Sequence, residues 1–351
     1  MISLKPKQIA TILLTLGAAS CATWLGFQVP GIARPHRTIS ARTENAPRFA
    51  QPIDCTLGED CFILLYPDLD PTPEEAVDFG CGRQTYDGHK GTDFAISDEA
   101  TMAQGVPVLA AAPGTVLRVR DGMPDRRLRS LSEKEEVAGV ECGNGIVIDH
   151  GNQWQTQYCH LRNGSISVRP GMEVEAGTPL GMVGASGAAS FPHVHLSVRY
   201  QGEVVDPFVG ANAAPGCNVQ RNSLWADSLG YQPTGPIDAG FAAEAPTMDD
   251  LWEGRFRDSL LSRDIPAILF WVHTYGVLQG DEFAFKLTAP NGEIVAQDKR
   301  TIDSPSKTWM GYVGKRNTPQ RPIIPGVWRG EYRLLRNNKV VVEFEREVEV
   351  Q

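Results

Sequence analysis

Short apolar runs closed by glycine or proline turns dominate the stretch from about Cys55 to Cys217: VPVLAA, GTVLRVR, GIVIDHG, WQTQYCHL, GMEVEAGTPLGMVG and HVHLSVR. Runs of about five to seven residues with β-branched content favour strands over helices. The 35 glycines and 25 prolines among 351 residues argue for many turns and against a helical bundle. One long charged interruption, Asp121 to Glu141, reads as an insertion between two strands with room for a short helix. After Cys217 the patterning weakens as far as Ile265, with MDDLWEGRF as a short helix. A second strand-rich region follows, in which AILFWVHTY, DEFAFKLTAP, GEIVAQ, TWMGYVG and GEYRLLRNNKVVVEFEREVEV alternate. Asn291-Gly292 and Asn337-Asn338 supply its hairpin turns. Phe283, Phe285 and Leu287 share one face there, the half-buried pattern of an immunoglobulin-like β-sandwich. The chain is therefore read as mainly β with two folded units, as its length also suggests.

The start of the chain sets the compartment. Lys5 and Lys7 precede the apolar stretch IATILLTLGAASCATWLGF, which suits either a cleaved signal peptide or a retained membrane anchor, so residues 1–30 imply export. Ala18-Ala19-Ser20-Cys21 also allows a lipoprotein cleavage box, with packing of Cys21 as the plain alternative. Residues 31–52 are Pro, Arg and Ala rich and read as a tether.

Beyond Cys21 six cysteines remain, Cys55, Cys61, Cys81, Cys142, Cys159 and Cys217, an even number that in an exported chain suggests three disulfides. GIVIDHGNQWQTQYC reads as two strands around His150-Gly151, a register that sets Asp149 opposite Asn152 and Cys142 opposite Cys159. Cys55 with Cys61 is the weaker second pairing and leaves Cys81 with Cys217. A structural zinc site from these cysteines lacks any paired Cys-x-x-Cys.

A formal net charge of −9 argues against a nucleic-acid binder, which needs a basic footprint. Chemistry concentrates instead in four histidines: His89 in GHKGTD, His160 in YCHL, and His193 with His195 in FPHVHLSV. On an extended strand His193 and His195 point the same way, because the side-chain period is two. His89 and Asp93, where a glycine-rich loop enters the strand DFAI, can give one nitrogen and one oxygen to the same ion. Two histidines and a carboxylate form a three-ligand set of catalytic rather than structural zinc type. Tyr86 is a weaker candidate, as an oxyanion donor or an ordinary loop tyrosine. His150 and Asp206 read as turn residues, His273 as structural, and Glu133 to Glu136 as a solvated face.

Taken together, GHKGTDFAI, GVPVLAAAPGTVLRV, GNGIVIDHGN, YCHL, VRPGMEVEAGTPLGMVGASG, FPHVHLSVR and VDPF resemble, in order, the lysostaphin-type (LytM-type) zinc metallopeptidases that cut peptidoglycan peptides. The resemblance covers about Asp87 to Phe208. It implies a LytM-type antiparallel β-sheet domain over 53–217, to which the strand patterning adds a connecting segment over 218–265 and the β-sandwich over 266–351. It further implies Zn2+ held by His89, Asp93 and His195, with His160 and His193 flanking the reacting water. The chain keeps all five positions, whereas some proteins of this kind have lost ligands and serve as regulators. The expectation is thus an exported, periplasmic or cell-envelope endopeptidase acting on peptidoglycan cross-links. The alternative is a non-catalytic or occluded protein that activates another wall hydrolase, with the β-sandwich as the surface for a protein partner.

Overall fold

The computed structural model describes residues 46–351 except Asn212. The expected leader and most of the expected tether lie outside the described residues. Among the described residues no helix is long and apolar enough to cross a membrane. At the end of the tether stretch, Phe49 is fully buried and forms an isolated bridge with Trp225.

The first half contains β1 (Cys61–Leu65), β2 (Thr92–Ile96), α1 (Glu99–Gln104), β3 (Pro107–Leu109), β4 (Gly114–Arg120) and α2 (Leu131–Glu136). Then come β5 (Asn144–Asp149), β6 (Trp154–Leu161), β7 (Glu173–Val174), β8 (Pro179–Met182), β9 (His193–Tyr200) and β10 (Glu203–Val205). One antiparallel sheet runs β1-β2-β9-β6-β5-β4-β7, β10 extends the far part of β9, and β3 pairs with β8 separately. Strand period two divides its residues between two faces. Phe94, Ile96, Val194, Leu196 and Val198 enter the main apolar core, and Asp93, His193, His195 and Ser197 alternate with them toward the other face. The apolar patterning of β9 thereby fixes where its histidines point.

The hairpin of β5 and β6 differs from its expected register. Asp149 pairs with Gln155, three residues beyond the expected Asn152, because residues 150–153 make the connection and Asn152 and Gln153 adopt positive φ. Cys142 is still disulfide-bonded to Cys159, with a Cα separation of 4.7 Å. It reaches its partner from a turn preceding β5, where its carbonyl accepts from the His160 amide. The pairing was thus right and the register behind it wrong. Cys55–Cys61 and Cys81–Cys217 are also bonded. The insertion carries α2, whose N-cap Ser130 accepts from the Glu133 amide.

The second half holds β11 (Gly235–Ala242), α3 (Met248–Glu253), β12 (Leu260–Leu261), β13 (Ala267–Val277), β14 (Glu282–Thr288), β15 (Ile294–Thr301), β16 (Ser306–Arg316), β17 (Gly326–Arg336) and β18 (Lys339–Val350). A sheet of order β11-β13-β16 faces one of order β12-β18-β17-β14-β15. Phe270 and Val272 from the first meet Phe285, Trp328 and Tyr332 from the second in one core, the two-sheet sandwich anticipated from the FAFKL pattern. Asn337 and Asn338 both take positive φ in the β17–β18 turn, as a two-residue hairpin requires. Residues 218–265 carry β11, α3 and β12, so strands of the sandwich begin inside the stretch expected to connect. Phe62, Leu64, Leu65, Ala95 and Phe191 of the first half pack with Trp252 and Tyr275 of the second. This contact lies on the face of β1 and β2 that continues into the histidine cluster.

Candidate metal centre and its cleft

β2 and β9 place Asp93 directly opposite His195, and Asp93 Oδ1 lies 2.7 Å from His195 Nδ1. His89, on the loop entering β2, brings Nε2 to 3.2 Å from both Asp93 Oδ1 and His195 Nδ1. The loop can come this close because residue 91 is glycine. A Cβ there would meet His195 Nε2 at 2.5 Å and the Leu196 carbonyl at 2.6 Å.

Each ring is oriented from behind. His89 Nδ1 donates to the Tyr66 carbonyl at 2.7 Å. Ser197 Oγ donates to the Lys90 carbonyl, so it accepts from His195 Nε2 at 3.1 Å. These partners leave His89 Nε2 and His195 Nδ1 as lone-pair atoms, facing one another and an oxygen of Asp93. Two acceptor nitrogens and a carboxylate oxygen in mutual contact repel unless a cation sits among them. The donor set therefore fits a divalent ion with N and O preference, zinc included.

His193 and His160 complete the cluster without joining that trio. His193 Nδ1 donates to the Phe191 carbonyl at 2.8 Å, and its Nε2 lies 3.5 Å from Asp93 Oδ1. His160 Nδ1 donates to the Ser186 carbonyl at 2.8 Å, and the two rings are 4.6 Å apart. His160 ends the regular part of β6 with φ at 64°, a conformation that side chains other than glycine seldom adopt. It is held there by the hydrogen bond its N–H donates to the Cys142 carbonyl and by the approach of Gly143 to Ser186, where a Cβ would meet the Ser186 carbonyl carbon at 2.4 Å. All five predicted residues thus converge on one cleft.

Electrostatics follow from burial and from the single carboxylate. Burial raises Asp93, but its interactions with His89 and His193 and the hydrogen bonds from His195 and His89 outweigh it and hold its pKa well below the usual range. For His89, burial works against protonation, and the Asp93 charge with its hydrogen bond overcomes it, raising the pKa. Burial, reinforced by His193 and His195, drives His160 far down. Burial also lowers His193 despite the nearby Asp93. Both are neutral imidazoles at physiological pH.

His160, His193 and His195 line a cavity of about 450 Å³, continuous through Tyr86, Arg129 and His160 with a second of about 990 Å³. Tyr86 is 46% exposed, with its ring 4.6 Å from that of His89. The insertion borders both cavities through Leu128 and Arg129. The other candidates lie elsewhere: His150 bonds Pro113 and Thr156, Asp206 caps its turn through the Phe208 amide, and His273 is buried against Trp252. Cys55, Asp60 and Cys61 also cluster, but both sulfurs are spent in a disulfide. Sequence reasoning missed the orienting groups. Ser197 was legible as the next inward residue of β9; the carbonyls of Tyr66 and Ser186 carry no side-chain signal.

Residues 87–207 match peptidase family M23. Over 119 residues the chain is 31% identical to an uncharacterized metalloprotease of Haemophilus influenzae, covering 34% of this chain and 20% of that one. Over 118 residues it is 31% identical to the peptidoglycan DD-endopeptidase ShyA of Vibrio cholerae, covering 34% and 22%. The match therefore spans only about a fifth of these relatives' own length. Among solved structures, a zinc containing peptidase from Vibrio cholerae aligns at TM-score 0.30 and 24% identity over 46% of this chain and 39% of that one. The catalytic domain of lysostaphin from Staphylococcus simulans aligns at 0.26 and 21% over 40% and 84%. Scores this low do not bear on a comparison of sites.

Proposed function

The chain carries a peptidase family M23 domain over residues 87–207, and from that premise we propose that it is an exported zinc-dependent endopeptidase hydrolysing peptide cross-links of cell-wall peptidoglycan. The observation that carries the reading is the convergence of His89 Nε2, Asp93 Oδ1 and His195 Nδ1, with His160 and His193 beside them in an open cleft. Three protein ligands leave a coordination position for chemistry, which a closed structural site would not. When bound, zinc supplies a Lewis acid for the scissile carbonyl and brings the pKa of water to about 7.

The chain's own residues divide the remaining work. His89, Asp93 and His195 hold the ion, fixed by Tyr66, Ser197 and the β2–β9 register. His193 and His160, with Nδ1 committed to carbonyls, turn Nε2 toward the cleft. As neutral bases they accept the proton of the attacking water and return it to the leaving amine. Between those two transfers, the imidazolium stabilises the oxyanion. Peptidoglycan as substrate is supported by the named activity of the Vibrio cholerae relative. Export is supported by three disulfides, which persist in oxidising compartments.

The test pairs zinc content by elemental analysis with release of new amino termini from purified peptidoglycan. About one zinc per chain, with release abolished by chelator and restored by zinc, is expected. Bound zinc without release, in the purified protein, would overturn the endopeptidase reading.

A further inference from the structure

The cleft is not built by the M23 region alone. Its 450 Å³ cavity is lined by His193, His195 and Tyr86 on one side and by Met248, Trp252 and Lys307 on the other. Met248 and Trp252 belong to α3 and Lys307 to the first turn-proximal residues of β16, all beyond residue 207 where the family match ends. Lys307 is held by sheet register. Its neighbour Thr308 pairs with Tyr275 of β13, and Tyr275 stacks on Phe62 of β1 at 5.2 Å. The packing that joins the two halves therefore sets this ammonium group at the edge of the cleft.

Its charge has no partner there. Lys286 and Lys299 of the same sandwich are paired with Glu331 and Glu282, whereas among the described residues Lys307 has no carboxylate within ion-pair distance. Partial burial at the rim, and then the Arg83 guanidinium, lower its pKa. An unpaired ammonium group at the edge of a cleft gains from an entering anion. The chain as a whole carries −9 and repels an acidic ligand at long range, so a local unpaired cation is what would hold one in register.

On the peptidase reading of this cleft, we propose that Lys307 is a specificity-determining residue that binds a carboxylate of an acidic peptide substrate. A lysine acts as a point charge, so arginine should replace it and neutral residues should not.

The test measures binding apart from turnover. Fluorescein-labelled Ala-Glu-Lys-Ala with free carboxylates, and its counterpart with Gln and a C-terminal amide, are titrated into metal-free protein, where no ion competes for the carboxylate. The intact protein should prefer the free acid by roughly three- to tenfold, the range for a partly exposed ion pair. Lys307→Ala should abolish the preference, Lys307→Arg retain it and Lys307→Glu invert it, with melting temperatures unchanged because the side chain is exposed. No preference in the intact protein, or an unchanged one in Lys307→Ala, overturns the proposal. Zinc-loaded protein is then assayed on both peptides and on peptidoglycan. A Lys307-dependent binding preference without cleavage would keep the subsite and defeat the endopeptidase reading; cleavage of both peptides at rates indifferent to Lys307 would do the reverse.

Discussion

His193 and His195 sit two residues apart on one strand, yet substitution should separate their roles. His195 Nδ1 touches both Asp93 and His89, so His195→Ala should lose metal and activity together. His193 stands behind that trio, so His193→Ala should keep its zinc while turnover falls roughly 10²- to 10⁴-fold, the usual weight of a general base. Loss of metal from His193→Ala would sink the assignment. Asp206 offers a residue-scale effect on stability alone. Burial raises its pKa to about 7, with the Phe208 amide and Arg221 opposing; its Oδ1 accepts from Phe208 and its Oδ2 has no partner among the described residues. The folded pKa lies above the unfolded one, so the contribution is fully present below about pH 4 and is lost as pH rises through 7. Three units correspond to roughly 4 kcal/mol. Denaturant titrations at pH 4 and pH 8 should show Asp206→Asn gaining on the parent at the higher pH; parallel losses in both would refute it.

At the scale of elements, what the sequence disclosed depended on whether the signal was local. Period two in HVHLSV was enough to put His193, His195 and, unnoticed, Ser197 on one face. The β5–β6 register was misread because it depends on positive φ at Asn152 and Gln153, residues that a two-residue turn at His150-Gly151 excludes. CFILL, now β1, is short and does not alternate, and GPIDAGFA, now β11, carries glycines and a proline that mimic a linker. The carbonyls behind His89 and His160 come from residues 23 and 26 positions away, beyond any local pattern. One of these supports is testable. Cys142–Cys159 closes a loop with a sequence separation of 17, and its removal should cost about 3 kcal/mol by loop entropy. The Cys142 carbonyl also accepts from the His160 amide. Cys142→Ser with Cys159→Ser should therefore lower kcat as well as Tm while zinc content stays the same. A fall in Tm with unaltered kcat would reduce the disulfide to a simple staple.

Across the whole molecule, the question is whether the β-sandwich is a passenger or part of the catalytic unit. A continuous chain of rings runs from His193, stacked on Phe191 at 4.3 Å, to Trp252, stacked at 5.6 Å, and on to His273, edge-to-face at 4.6 Å. The first two rings belong to the peptidase half and the last two to the other. Arg127 of the insertion, nearly inaccessible, pairs with Glu99 and reaches Asp249 on α3, while Arg129 pairs with Glu253. The halves thus share an apolar core and a set of ion pairs beside the cleft, and calorimetry should record a single unfolding transition. Trp252 is 5% exposed, so Trp252→Ala should remove about 3 to 5 kcal/mol, the range for a buried aromatic truncated in a core. Because Phe191 both stacks on His193 and accepts from its Nδ1, the loss should propagate to the base: kcat falls, zinc is retained and Trp252→Phe restores most of both. Two separate transitions in the parent protein, or a Trp252→Ala enzyme with full kcat below its Tm, would mean that the sandwich merely sits beside the site. Stability and turnover lost and regained together across the Ala and Phe variants would mean that residues outside the family match hold the proposed catalytic histidine in place.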